Sequence, residues 1–174
     1  VVNYVELKRD LSEQILAERR IHDLVYLDAL TGLPNRHSLN LHLRELALTQ
    51  QEAHHGLLLL DVDRFSAFND VHGVKHSDEL VQALSARLVE KLPDDVWIAR
   101  IAAAEFAIVV DCLSHSREGV EQQLLLYAQS LKKAVQKPFS LNSWEQTELV
   151  SCCMGGVVLE PASSGGDGSE VLRF

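Results

Sequence analysis

The chain has 174 residues, 47% apolar and 24% charged, with a formal net charge of −9. This is ordinary globular composition and excludes a largely disordered chain. So acidic a chain, with no Lys/Arg run as a local exception, gains little from a phosphate backbone, which excludes broad nucleic-acid binding. A small anionic ligand would need a local site, with a metal to offset the charge.

Three cysteines, Cys112 and the adjacent Cys152 and Cys153, do not make a disulfide framework. Neighbouring strand residues point to opposite faces, so the adjacent pair reads as one core thiol and one near-surface thiol. The apolar runs are strand-sized, far short of a membrane span, and no signal peptide is legible. The expectation is a cytoplasmic domain that is part of a larger protein, with any membrane anchor lying elsewhere in that protein.

Residues 1–27 read as a helix, rich in Glu, Lys, Arg and Gln and free of Gly and Pro. Tyr4, Leu7, Leu11, Ile21 and Val25 fall near a seven-residue repeat, interrupted by Gln14 and Glu18. Two readings stand: a solvated helix docked on the domain, or a coiled-coil connector from an upstream sensor. The connector is the expectation, which leaves 28–174 as the domain proper. Gly32 and Pro34 end this helix, and Asn35 can cap the next, where Leu39, Leu43, Leu46 and Leu48 keep helical spacing to about His54. Gly56 opens the apolar run Leu57–Leu60, a buried central strand ending in Asp61-Val62-Asp63.

Phe65 to Val71 is a short helical stretch. A second helix runs from Ser77 to Leu92, with Leu80, Val81, Leu84, Leu88 and Leu92 on one stripe and Ser77 or Asp78 as its cap. Val96–Ile101 and Phe106–Val110 are strands joined by Ala102-Ala103-Ala104-Glu105. Ser116–Gln136 is a helix with Val120, Leu124, Leu131 and Val135 inward. Pro138–Leu141 and Glu148–Leu159 read as strands around an Asn142-Ser143 turn. Ser163–Ser169 is Gly/Ser-rich and reads as a flexible stretch, and Glu170–Phe174 as the first turn of a helix. This order predicts an α+β fold, with helices covering a mostly antiparallel sheet.

Four segments carry a family resemblance. They are Asp28-x-Leu-Thr-Gly-Leu-x-Asn-Arg36; Leu60-Asp61-Val62-Asp63-x-Phe65 with Asn69-Asp70 and Gly73; Arg100-x-Ala-Ala-Ala-Glu-Phe106; and Met154-Gly155-Gly156-Val157. In this order they resemble the GGDEF (diguanylate cyclase) family, from about residue 28 to the end. The resemblance implies the palm-like sheet of nucleotidyl cyclases. It also implies two domains meeting face to face, each holding GTP with Mg²⁺, so that each 3′-hydroxyl attacks the other's α-phosphate. Carried over, Asp61, the Val62 carbonyl and Glu105 face the metal, and Asn69 and Asp78 hydrogen-bond the guanine edge.

The departures from the family pattern sit at the signature. Ala102 and Ala103 replace two glycines, adding methyl groups in phosphate space, and a turn that kept a positive φ would strain them. Ala104 replaces the acid that binds metal and helps activate the hydroxyl, and losing a positioned acid or base alone costs about 10²–10⁴-fold in rate. Ser66 replaces a phosphate-contacting lysine and Ser77 a glycine. The product-inhibition motif Arg-x-x-Asp is absent, since its span begins at Pro93 and ends at Val96. The family's C-terminal helix, with its basic phosphate contacts, is missing from the sequence.

The expected function is a catalytically inactive regulatory GGDEF domain in a bacterial cyclic di-GMP signalling protein. Its partners would be an adjacent EAL phosphodiesterase or sensor domain and a second copy. The alternatives are a GTP-binding allosteric sensor and, less favoured, a residual cyclase. Plainer readings also stand: Asp78 as a helix cap, Glu105 as an exposed hairpin acid, Phe106 as core and Cys112 as packing. Asp61 and Asp63 are expected on opposite faces of the strand, unable to share a site unless it bends. His54-His55, His72 and His76 show no zinc spacing and are read as solvent-facing helix ends.

Overall fold

The computed structural model describes residues 2–48, 53–111, 116–141 and 147–160, and side chains from residue 14 onward. Helix α1 (Val2–Tyr26) leads through a turn to α2 (Arg36–Leu48). Strand β1 (His55–Val62) is followed by α3 (Phe65–His72) and α4 (Val74–Lys91). Strands β2 (Trp97–Ala102) and β3 (Glu105–Val110) form a hairpin, and α5 (Arg117–Val135) follows. Short strands β4 (Phe139–Ser140) and β5 (Thr147–Glu148) pair with each other, and β6 (Cys152–Leu159) returns to the main sheet.

That sheet has the order β2-β3-β1-β6, and every pairing is antiparallel. The unbroken leucine run of β1 follows from this central position, because both of its faces are covered. Leu58, Leu60 and Val62 join Phe106, Ile108 and Ile98 beneath α4 and α5. Leu57 joins Ala99, Ala107 and Val109 beneath Leu39 and Leu43 of α2. The α4 stripe expected from the sequence is buried throughout, as are Val120, Leu124, Leu131 and Val135 of α5. Gly56 lets α5 approach: a Cβ there would lie 2.7 Å from Leu124 Cδ2. The Arg87 guanidinium donates to the carbonyls of Ala134, Lys137 and Pro138 and lies 3.5 Å from the Phe139 ring centroid, which ties the end of α5 to α4.

Several expectations change. Helix α2 is described as Arg36–Leu48, Leu48 is exposed, and residues 53–54, inside the helix expected to about His54, are not helical. The strand expected over 148–159 is two strands, interrupted at 149–151. Helix α4 starts one turn early, at Val74 after Gly73, whose φ of 80° makes the sharp turn from α3. Neither Ser77 nor Asp78 is therefore its cap. On α1, residues 14–25 are exposed, so this part of the helix is not docked along the domain. Cys152 is buried and Cys153 exposed, as the strand alternation predicts. The expected 142–143 turn, Cys112 and everything after residue 160 lie outside the described residues. No described helix is long and apolar enough to cross a membrane.

Candidate functional site

The first motif, 28–36, is a clamp. Asp28 Oδ1 accepts from the Thr31 amide (2.9 Å) and hydroxyl (2.8 Å), folding the turn in the way a short acidic side chain favours. The same oxygen takes the Arg100 Nη1 donor at 2.8 Å, across 72 residues. Burial works to raise the Asp28 pKa, but the hydrogen bonds from Arg100 and Thr31 outweigh it and hold the carboxyl below its ordinary value. Asn35 acts at both ends of the turn. Its side-chain amide donates to the Val25 carbonyl at the end of α1, and its Oδ1 caps α2 by accepting from the Ser38 amide.

The clamp grips the β2–β3 hairpin. The Arg100 amide donates to the Pro34 carbonyl and Arg36 Nε to the Ile101 carbonyl. The Arg100 guanidinium also donates twice to the Ala103 carbonyl, at 2.7 and 3.2 Å. The turn itself is Ala103-Ala104, between the paired residues Ala102 and Glu105, with a register irregularity between Arg100 and Ala102. Among the described non-glycine residues only Arg64, at the start of α3, has a positive φ. The alanine turn does not keep a positive φ, so the condition for strain is not met. Ala104 is 2% exposed, its methyl group lies in the core, and its carbonyl accepts from the Val62 amide. Phe106 is fully buried, as expected.

Asp61 is the cross-strand partner of Glu105 on one side and Cys153 on the other. These three residues form a row on the sheet face opposite α4 and α5. Glu105 is half-buried and Asp61 exposed. Asp63 lies in the turn after β1, where its carboxylate accepts from Ser151 Oγ and, at 2.9 Å, from Cys153 Sγ. Those hydrogen bonds, Cys153's first, hold Asp63 below its ordinary pKa, and the same bond pushes the Cys153 thiol up. Asp61 and Asp63 line one groove of about 780 Å³, with Arg64, Phe68, Val71 and Ser151. The expectation of opposite faces fails, because residues two apart share a strand face and β1 ends before Asp63.

Asn69 and Asp78 are half-buried on consecutive helices, α3 and α4, and neither lines that groove. Ser77 beside Asp78 is buried, with no hydrogen-bond partner for its hydroxyl. As metal donors the hairpin end offers one carboxylate pair, Asp61 and Glu105, and position 104 offers none. No group of three His, Cys, Asp or Glu side chains among the described residues is drawn together as an ion site. Such a donor set suits a single hard cation whose other ligands come from phosphate and water, not a pair of metals. Sequence reasoning missed Ser151 and Cys153 as neighbours of the Asp-x-Asp segment. The pairing of β6 with β1 puts them there, and no local pattern carries that.

Comparison with known proteins gives the family. The family model described as "Diguanylate cyclase, GGDEF domain" matches residues 25–173. The chain is 30% identical over 167 residues to the signaling protein YkoW of Bacillus subtilis, covering 95% of this chain and 20% of that protein. It is 27% identical over 165 residues to the cyclic di-GMP phosphodiesterase PdeR of Escherichia coli, covering 94% and 23%. The chain thus spans about a fifth of the length of these curated relatives. In fold it is similar to the coiled coil and GGDEF domain of DgcB from Caulobacter crescentus, solved with c-di-GMP. The TM-score there is 0.78, with 18% identity, 99% of this chain and 87% of that chain covered. It is also similar to the diguanylate cyclase SiaD of Pseudomonas aeruginosa, solved with its activator SiaC, with TM-score 0.71, 21% identity and 99% and 64% covered. With its first motif gripping the signature hairpin and a family model matching residues 25–173, this chain belongs to the GGDEF domain family.

Proposed function

We propose that this domain is a non-cyclising, regulatory GGDEF domain of a bacterial cyclic di-GMP signalling protein, acting on a neighbouring EAL phosphodiesterase or sensor domain. One observation carries the reading: at position 104 the hairpin buries a methyl group in the core where the reaction needs a carboxylate. The framework for transmission is nevertheless intact. The last turn of α1 is bonded to Asn35, and residues 28–36 are bonded to the hairpin, so a shift of the helix reaches the signature through directed hydrogen bonds. Helix α1 serves as the connector (1–27), and its exposed Ile15, Leu16, Ile21 and Leu24 suit pairing with a second copy.

A second reading, an allosteric GTP sensor, is favoured by the surviving Asp61–Glu105 pair. Here Asp61, the Val62 carbonyl and Glu105 would hold one Mg²⁺ shared with the phosphates, while Asn69 and Asp78 would take the guanine edge. Bound Mg²⁺ neutralises phosphate charge. The protein groups position the nucleotide without activating its hydroxyl.

Two assays on the full-length protein separate the readings. In a turnover assay with GTP and Mg²⁺, no cyclic di-GMP is expected from this domain, and product formation abolished by Glu105→Gln would overturn the proposal. In calorimetric titration with GTP and Mg²⁺, binding lost in Asn69→Ala would establish the sensor. Absence of binding leaves regulation through contacts alone.

A further inference from the structure

Between the start of α2 and the β2–β3 hairpin lies a pocket of about 510 Å³, which shares no lining residue with the groove at Asp61 and Asp63. Arg36, His37 and Arg100 line it together with Ile101, Ala102 and Ala103. The two guanidiniums are held differently. The Arg100 side chain is 13% exposed, its charge is answered by Asp28 at 2.8 Å, and it also donates to the Ala103 carbonyl. Arg36 is exposed, and its one bond among the described residues runs from Nε to the Ile101 carbonyl at 3.1 Å. That bond fixes the guanidinium at the pocket wall and leaves the rest of its planar N–H fork without a partner among the described residues.

In a chain of net charge −9, an arginine with no carboxylate partner, fixed at the wall of a pocket, is a local exception. A guanidinium fork matches the oxygens of a phosphate and holds them by charge-assisted N–H bonds. The amides of Arg36 and His37 open α2, where a helix has no acceptor of its own for its first N–H groups, and they add donors at the same wall. We propose that this pocket is a binding site for a small phosphate monoester, with the phosphate on Arg36 and the organic group against Ile101, Ala102 and Ala103. A bare phosphate would leave most of the volume empty, whereas sites for small organic ligands start at about 300 Å³. The alanines contribute directly, since glycines at 102 and 103 would offer the ligand no side chain. Asp28 does not oppose the anion, because Arg100 already neutralises it. Occupied, the site adds a second bridge between the start of α2 and the hairpin, beside the Arg36–Ile101 contact, and so tightens the clamp through which α1 reaches the signature. The inference is independent of whether the signature hairpin binds nucleotide.

The test is calorimetric titration of the full-length protein with phenyl phosphate, in chelator so that no metal carries the phosphate, with inorganic phosphate at equal ionic strength as the comparison. The expected result is saturable binding of phenyl phosphate and weaker binding of inorganic phosphate. Affinity for phenyl phosphate should fall about tenfold or more in Arg36→Gln. That variant also loses the Ile101 contact, so Ala103→Glu serves as a second one. Position 103 is exposed, so the glutamate keeps the fold, which circular dichroism verifies, and its carboxylate competes with the ligand for Arg36. Absence of phenyl phosphate binding at millimolar concentration overturns the proposal. So does binding that both folded variants retain, which would place the phosphate elsewhere on the protein. Equal affinity for inorganic phosphate overturns the assignment of an ester.

Discussion

Asp28 shows how much can depend on one carboxylate. It closes its own turn through Thr31 and anchors Arg100 on the hairpin. Asp28→Asn weakens two charge-assisted contacts in a half-buried setting, and a loss of about 1–3 kcal/mol is expected in urea unfolding. The pH dependence follows from the direction of its shift. The folded-state pKa lies below the unfolded value of about 3.9, so the stabilisation is complete above that value and is lost as pH falls through the lower, folded one. The Asp28→Asn variant should therefore lack this part of the acid-induced loss seen in the parent, as urea midpoints measured across that range will show. The cysteines make a second residue-scale case. Burial pushes the Cys152 thiol up to about 11, and Cys153 donates to Asp63. Neither should alkylate readily near neutrality, although Cys153 is exposed. Asp63→Asn should accelerate labelling of Cys153 and leave Cys152 protected, as mass spectrometry of alkylated peptides can measure.

At the scale of elements, the fit of α5 against β1 depends on a missing side chain. An alanine at Gly56 would place its Cβ 2.7 Å from Leu124 Cδ2 and 2.9 Å from Cγ. Leu124 is itself core, so it has little room to move. Overpacking costs about 1–3 kcal/mol, which exceeds the roughly 0.5–1 kcal/mol gained by removing a glycine from a strand. Gly56→Ala should therefore lower the urea midpoint. An unchanged midpoint would mean that α5 can slide away from the sheet.

The elements themselves were largely legible in the sequence. The α4 and α5 stripes, the central strand and the hairpin all follow from periodicity, because each element buries one fixed face. What local pattern could not supply was the ends. Val74 and Lys75 look no more helical than their neighbours, and Gly73 starts α4 only because its positive φ turns the chain back from α3. Residues 149–151 carry ordinary strand propensity, but one of them, Ser151, is where the chain meets the turn after β1, its carbonyl accepting from the Asp63 amide.

At the scale of the whole molecule, the question is whether the signature can be restored. Replacing Ala102 and Ala103 by Gly and Ala104 by Asp in the full-length protein should bring cyclic di-GMP formation above the parent's background, read as product by chromatography. No gain would show that the site has decayed beyond the hairpin. The structure adds a second expected outcome. Position 104 is 2% exposed, so an aspartate there without a bound cation should cost about 1–3 kcal/mol, seen as a lower melting temperature in chelator. Mg²⁺ with GTP should recover part of that loss if the restored carboxylate finds a metal.

By itself the sequence determined the family, the α+β class, the buried faces and the substitution of the signature, because these are written in residue types at short, regular spacings. It took the folded chain to show that the alanine turn is unstrained, that Asp61 and Asp63 share a groove with Ser151 while Cys153 donates to Asp63, and that His42 and His55 both face Asp111. Each of these depends on strand register and on contacts between residues far apart in the chain. Such contacts are selected by how the whole core packs, and no local window of sequence contains that information.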